Sequence, residues 1–180
     1  MKILALSDAR STIELPDVAA DLVVLLGHIP SKLVKRIDEQ YDCMKVGLLS
    51  DKCHPTVYED TSIVDIHKRV FTYEGLRFAG YGGVPLYREE ESIGQYSESE
   101  TEFFVKQLAV SNVDVLLSYS NLAYGDLTAS HAKDGFLAYN QIILENMVST
   151  IIHGRLMQPL ERKMGNVKIH SVYPFAEIQI

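Results

Sequence analysis

The sequence contains no tryptophan and only two cysteines, Cys43 and Cys53, among its 180 residues. Two cysteines are too few for the disulfide framework of a small secreted protein. Long apolar segments are also missing, because the longest aliphatic run is Leu22 to Leu26, far below the roughly 20 residues that cross a bilayer. A secretory signal would need a longer apolar stretch than the one that follows Met1. These absences predict a reduced, cytoplasmic protein with no membrane partner.

Basic residues are fewer than acidic ones, and the excess of acid is local. The chain has 17 basic and 24 acidic residues, for a formal net charge of −7, and six of the acids lie in residues 89–102, which contain no base. The remaining residues are nearly neutral, so the basic footprint of a general nucleic-acid binder is missing. We therefore expect no nucleic-acid partner, and we interpret residues 89–102 as a solvated loop that leads into a helix.

The composition, 47% apolar and 23% charged, is that of one globular domain, which we expect to span residues 1–180. Continuous apolar runs of four to eight residues are typical of central strands covered on both faces. Four such runs occur, at Lys2 to Ser7, Leu22 to Leu26, Met44 to Leu49 and Val113 to Ser118, and Ile151 to His153 ends a fifth run at Gly154.

Helical signals lie between these runs. Ser31 is a candidate N-cap for one helix, and Ser99 with Glu102 fits a capping box for a second. A third helix is indicated by the spacing of Phe136, Tyr139, Ile143 and Met147. Elsewhere, Glu74-Gly75 predicts a hairpin, and alternation over Val167 to Ile180 predicts outer antiparallel strands. Together the signals predict an α/β fold of two mixed β-sheets packed face to face and flanked by helices.

Each predicted central strand ends in polar residues. In folds of this class the ligand site lies outside the carboxyl ends of the strands, so these ends are expected to converge. The residues at the five ends are Ser7-Asp8-Ala9-Arg10, Gly27-His28, Ser50-Asp51-Lys52-Cys53-His54, Ser118-Tyr119-Ser120 and His153-Gly154-Arg155.

The order of these segments resembles the calcineurin-like metallophosphoesterases, and the resemblance extends over the whole chain. The segments similar to that family's strands, metal-binding motifs and glycine-rich loop are KILALSDAR, DLVVLLGHIP, KVGLLSDKCH, LRFAGYGG, VLLSYSNLAYG and STIIHGRLMQP. The resemblance implies a metallophosphoesterase-like sandwich. It also implies a site where two divalent metals would activate water for phosphoester hydrolysis.

Most of the metal-binding positions implied by the resemblance carry other residues. Asp8 keeps the first aspartate of the family pattern. Arg10 and Arg155 stand where the family has histidines, and Lys52 stands at its catalytic histidine. The other replaced positions are His28 for an aspartate, Asp51 for an asparagine, and Tyr119 and Met157 for histidines. Arginine offers no lone pair and stays protonated, so it cannot bind a metal.

These replacements predict a protein that lacks the dinuclear centre and needs no cofactor. On this interpretation, Arg10, Lys52, Arg155 and Tyr119 bind an anion, and the partner is a phosphate-bearing small molecule or another protein.

The alternative is an active phosphoesterase with a rebuilt site for Mn, Fe or Zn, whose ligands would come from Asp8, His28, Asp51, His54 and His153. A nuclease or its accessory subunit is a third possibility, against which the nearly neutral body argues.

Overall fold

The computed structural model describes residues 1–87, 93–123 and 135–180. The predicted acidic segment is thus described only from residue 93 onward, and His131, to which the sequence assigns no role, lies outside these ranges. Within them the chain forms thirteen strands and three helices, namely β1 (Lys2–Ser7), β2 (Leu22–Leu26), α1 (Ser31–Gln40), β3 (Met44–Leu48), β4 (Val64–Asp65), β5 (Arg69–Tyr73), β6 (Leu76–Tyr81), β7 (Val84–Pro85), β8 (Gln95–Tyr96), α2 (Glu98–Ser111), β9 (Val115–Ser118), α3 (Tyr139–Leu144), β10 (Thr150–His153), β11 (Leu160–Met164), β12 (Val167–Ser171) and β13 (Phe175–Gln179).

The first sheet has the strand order β13-β1-β2-β3-β4. The four strands from β1 to β4 are parallel, and β13 pairs with β1 in the antiparallel sense. The whole of β2 is inaccessible to solvent, as its unbroken apolar sequence predicts for a strand covered on both faces.

The second sheet has the order β11-β12-β10-β9-β6-β5. Its four central strands are parallel, and the antiparallel strands β11 and β5 form its edges. The predicted hairpin at Glu74-Gly75 is confirmed, since both residues have positive φ angles, of 49° and 79°, in the turn between β5 and β6.

The two sheets pack face to face, with helices on their outer faces. Ala5 and Val24 of the first sheet share a core cluster with Phe78, Leu117 and Ile152 of the second. A separate cluster joins the first sheet to α1, and another joins the second sheet to α2 and α3. The predicted class, two mixed sheets flanked by helices, is therefore confirmed. None of the helices in the described residues is long and apolar enough to cross a membrane.

The prediction of outer antiparallel strands in the last segment is confirmed for β13, an edge strand antiparallel to β1, and is wrong for β12. The strands β12 and β13 are separated by three residues, yet they belong to different sheets. Moreover, β12 is not an outer strand, because it lies between β11 and β10 and is parallel to β10. Alternation shows only that one face of a strand is less covered than the other, and it carries no information about the neighbouring strand.

The helix boundaries also differ from the predicted ones. Pro30, not Ser31, is the N-cap of α1, and no side chain caps it. The α2 capping box is formed by Ser97 and Glu100, two residues before the predicted pair. The third helix covers only six residues, so the predicted Phe136 and Met147 lie outside it.

We expect Ser97→Ala to lower the free energy of unfolding by about 1 kcal/mol, the usual effect of losing an N-cap side chain. The Ser97 Oγ accepts a hydrogen bond from the Glu100 amide at 3.3 Å, and the Ser97 amide donates to the Glu100 carboxylate at 3.0 Å. Urea denaturation measures the change. Ser99→Ala is the matched control, because the Ser99 hydroxyl contacts only that of Ser97, and an equal loss in both variants would contradict the assignment.

Candidate active site at the strand ends

The carboxyl ends of strands from both sheets meet at one edge of the sandwich. Hydrogen bonds join neighbouring ends within each sheet, from the Gly27 amide to the Leu48 carbonyl at 2.9 Å and from the Gly154 amide to the Ser118 carbonyl at 3.1 Å. Between the sheets, the Tyr119 hydroxyl donates to Asp8 Oδ1 at 3.3 Å. The ends of β1, β9 and β10 therefore form one continuous site.

Two glycines allow this close approach. Gly27 has a φ of +81°, and a β-carbon there would overlap the ring of Tyr119. A β-carbon at Gly154 would overlap the side chain of Ser7 and would lie 3.2 Å from the Leu26 carbonyl oxygen. The absence of a side chain at both positions lets the two sheets bring their polar ends together.

Asp8 is the centre of the hydrogen-bond network. Its Oδ2 accepts from the Ser7 hydroxyl at 3.0 Å and from the Arg155 amide at 3.2 Å, while its Oδ1 accepts from Tyr119. The φ angle of Asp8 is 50°, in the left-handed region that aspartate tolerates better than most residues. Three donors, one of them from the end of β10, thus fix the carboxylate in place.

Arg155 brings a cation to the same place. Its backbone also has a positive φ, of 63°, and strained backbone of this kind is concentrated at functional sites. Burial lowers the pKa of the guanidinium, and the neighbouring Tyr119, Asp51, Tyr87 and Asp8 act in the opposite direction. An arginine stays protonated under such conditions, so the guanidinium is a fixed positive charge that interacts electrostatically with two carboxylates.

Two tyrosines complete the cluster. Tyr119 is almost fully buried, and burial together with Asp8 and Asp51 raises its pKa, so it remains a neutral hydrogen-bond donor. Tyr87 donates its hydroxyl to Asp51 Oδ2 at 2.7 Å. Tyr87 is not among the predicted site residues, because it follows none of the five predicted central strands.

The structure brings together four of the predicted site residues, namely Asp8, Asp51, Tyr119 and Arg155. The other predicted residues are not part of this hydrogen-bonded cluster. Arg10, Lys52, His28 and His54 are exposed, and the His54 Nδ1 is 2.8 Å from the Thr56 hydroxyl.

His153 is fully buried, and its Nδ1 is 2.8 Å from the Gly154 carbonyl oxygen, to which a neutral ring with a proton on Nδ1 can donate. Burial lowers the pKa of His153 to about 4. This geometry is that of a neutral core histidine in the strand below the site.

The arrangement does not fit the two-metal centre that the family resemblance implies. Among residues 1–87, 93–123 and 135–180, no three histidine, cysteine, aspartate or glutamate side chains are grouped so that they could hold a metal ion. Asp8 and Asp51 instead have the Arg155 guanidinium as their neighbouring cation. The cluster can orient a polar ligand through the charges of its aspartates and arginine and through the neutral hydroxyls of its tyrosines.

A cavity of about 200 Å³ opens beside Asp8. Its wall includes two charged residues of opposite sign, Asp8 and Arg10. The remaining lining residues are Thr12, Ile13, Tyr173 and Pro174. The turn that carries Arg10 is closed by a hydrogen bond from the Ile13 amide to the Arg10 carbonyl at 3.0 Å.

Comparison with known proteins identifies the fold. No family model and no curated protein matches the chain. Among solved structures, the chain is similar to TT1561 of Thermus thermophilus, at 15% identity over 94% of this chain and 88% of that one, with a TM-score of 0.69. It is also similar to the phosphopantetheinyl hydrolase PptH of Mycobacterium tuberculosis, at 10% identity over 98% and 95%, with a TM-score of 0.64. The chain has a metallophosphoesterase-like fold, and at these identities the likeness extends to the fold alone.

Proposed function

We propose that this protein uses a metallophosphoesterase-like fold without the dinuclear metal centre, and that it binds a phosphate-bearing small molecule at the strand ends. The observation that carries the proposal is the position of Arg155 at the end of β10, where its amide donates to Asp8 at 3.2 Å and its guanidinium interacts electrostatically with Asp8 and Asp51. A permanent cation in this place balances the carboxylates and repels a divalent ion.

In this proposal, three cations that follow the strand ends contribute to ligand binding. Arg155 is partly buried in the cluster, whereas Arg10 and Lys52 present exposed charges at the ends of β1 and β3. Guanidinium groups bind phosphate oxygens through two parallel hydrogen bonds, and a lysine adds a point charge. Tyr119 already donates to Asp8, so in this proposal it holds the carboxylate in position beneath the ligand.

A small molecule suits the site better than a protein surface does. Asp8 and Arg10 line a concave region, a cavity of about 200 Å³. A structural neighbour is named as a phosphopantetheinyl hydrolase, which acts on a phosphate-bearing organic group. That name gives limited support to the ligand class, and it carries no activity over to this chain.

The test combines metal analysis with ligand binding on the purified, dialysed protein. We expect less than one equivalent of Mn, Fe or Zn per chain, and measurable binding of inorganic phosphate by calorimetry. Arg10→Gln and Lys52→Gln should each weaken that binding by about fivefold, as expected for a charge-assisted contact at an exposed position. Arg162→Gln, an exposed arginine on edge strand β11, is the control and should bind like the parent protein.

Two results would overturn the proposal. One is a stoichiometric metal that survives dialysis. The other is hydrolysis of p-nitrophenyl phosphate that a chelator abolishes and that Asp8→Ala eliminates, because the protein would then be an active metal-dependent phosphoesterase.

A further inference from the structure

The cavity beside Asp8 has a charge pattern that a simple phosphate does not match. Its wall carries Asp8 and Arg10 together. A ligand with negative charge only would be attracted by Arg10 and repelled by Asp8. A ligand with positive charge only would be attracted by Asp8 and repelled by Arg10. The pattern is complementary to a ligand that carries both charges.

Asp8 retains capacity to accept a hydrogen bond from such a ligand. A carboxylate has about four lone-pair positions, and the described contacts of Asp8 use three of them, two on Oδ2 and one on Oδ1. Asp8 is partly exposed and lines the cavity, so a ligand in the cavity can reach its side chain. The donors already in place come from Ser7, Tyr119 and Arg155, which means that Asp8 is preorganised before any ligand arrives.

Arg10 supplies the opposite charge, and no side chain within the described ranges competes for it. Its side chain is exposed, and it forms no hydrogen bond or ion pair with any other residue that the structure describes. The guanidinium is therefore available to an anionic group of a ligand, while its backbone is held by the turn to Ile13.

The size of the cavity limits the ligand. Its volume of about 200 Å³ is below the roughly 300–1,000 Å³ of pockets that take drug-sized molecules. A molecule with a short chain between its two charged groups fits this space, and the hydroxyl of Thr12 and the ring of Tyr173 lie on the same wall.

We propose that the site takes a small aminoalkyl phosphate, with its phosphate on Arg10 and its ammonium on Asp8. This inference rests on the proposed function for the phosphate, and it adds the requirement for an amine. No bond is made or broken in the proposal, which concerns recognition only.

The test compares three ligands by titration calorimetry, namely inorganic phosphate, ethyl phosphate and O-phosphoethanolamine. The last two have the same chain length and differ in the amine. We expect O-phosphoethanolamine to bind about tenfold more tightly than ethyl phosphate, since the added contact is a charge-assisted hydrogen bond. Equal affinities, or tighter binding of ethyl phosphate, would overturn the inference on the parent protein alone.

Two variants assign the contacts. Asp8→Asn, which keeps the shape of the side chain, should remove the preference for the amine. Arg10→Gln, an exposed substitution that leaves the packed core intact, should weaken both esters by a similar factor. A preference that survives in Asp8→Asn would contradict the inference.

The same titrations separate the two proposals. Binding of all three ligands with no preference for the amine leaves the proposed function standing and removes this inference. Failure of every phosphate compound to bind removes both.

Discussion

Replacing Arg155 by methionine is expected to lower the free energy of unfolding by about 2–4 kcal/mol at pH 7. Removing one partner of a fully buried ion pair costs roughly 3–5 kcal/mol, and the cost is smaller here because the side chain is only partly buried. Methionine keeps an unbranched apolar stem but removes the cation that interacts electrostatically with Asp8 and Asp51. Urea denaturation followed by circular dichroism measures the difference.

Two further variants show whether charge is the cause. Arg155→Lys keeps a positive charge and should recover part of the lost stability, though it cannot form the two parallel contacts of a guanidinium. Arg162→Met makes the same chemical change on the exposed edge strand β11 and should alter stability by less than about 0.5 kcal/mol. If Arg155→Met behaves like Arg162→Met, the guanidinium does not balance the carboxylates.

The continuous apolar runs made the two sheets predictable from the sequence. The run from Leu22 to Leu26 has no polar position, so it can be stable only where both faces are covered, and β2 is indeed buried along its length. The positions of Asp8, Tyr119 and Arg155 follow from this, because each comes shortly after a parallel strand. Parallel strands place their carboxyl ends at the same edge of a sheet.

The first residue of α2 could not be predicted from the local sequence, because a contact with a distant segment accompanies it. The segment before α2 contains two overlapping capping patterns, Ser97 with Glu100 and Ser99 with Glu102. A helix that starts at Glu98 leaves that side chain free to accept the amides of Leu137 and Ala138, both at 3.1 Å. The start of α2 at Glu98 is therefore accompanied by a contact with Leu137 and Ala138, and no local pattern in the sequence indicates that contact.

The contact between Tyr87 and Asp51 was missed for a similar reason. Tyr87 follows the short strand β7, and its hydroxyl reaches Asp51 across 36 positions in sequence. Periodicity and turn signals describe neighbours within one element, so they carry no information about a pair of this kind.

Acidification from pH 6.5 to about 4 is expected to remove up to about 3 kcal/mol of stability through His153 alone. Burial lowers the pKa of His153 from 6.5 to about 4 in the folded chain. Between these values the unfolded chain binds a proton that the folded chain excludes, so the stabilisation is complete above pH 6.5 and declines as the pH falls toward 4. His67, whose pKa burial also lowers to about 4, loses stabilisation over the same range.

A substitution isolates the contribution of His153. His153→Asn places an amide nitrogen near the position of Nδ1, so the contact with the Gly154 carbonyl can persist while the titrating ring is removed. The slope of the unfolding free energy against pH should then fall by less than half between pH 6.5 and 4, because His67 and His170, whose pKa values burial also lowers, still titrate. An unaltered slope in His153→Asn would contradict this prediction. It would mean that the ring of His153, although completely buried in β10, accepts a proton in the folded chain without cost.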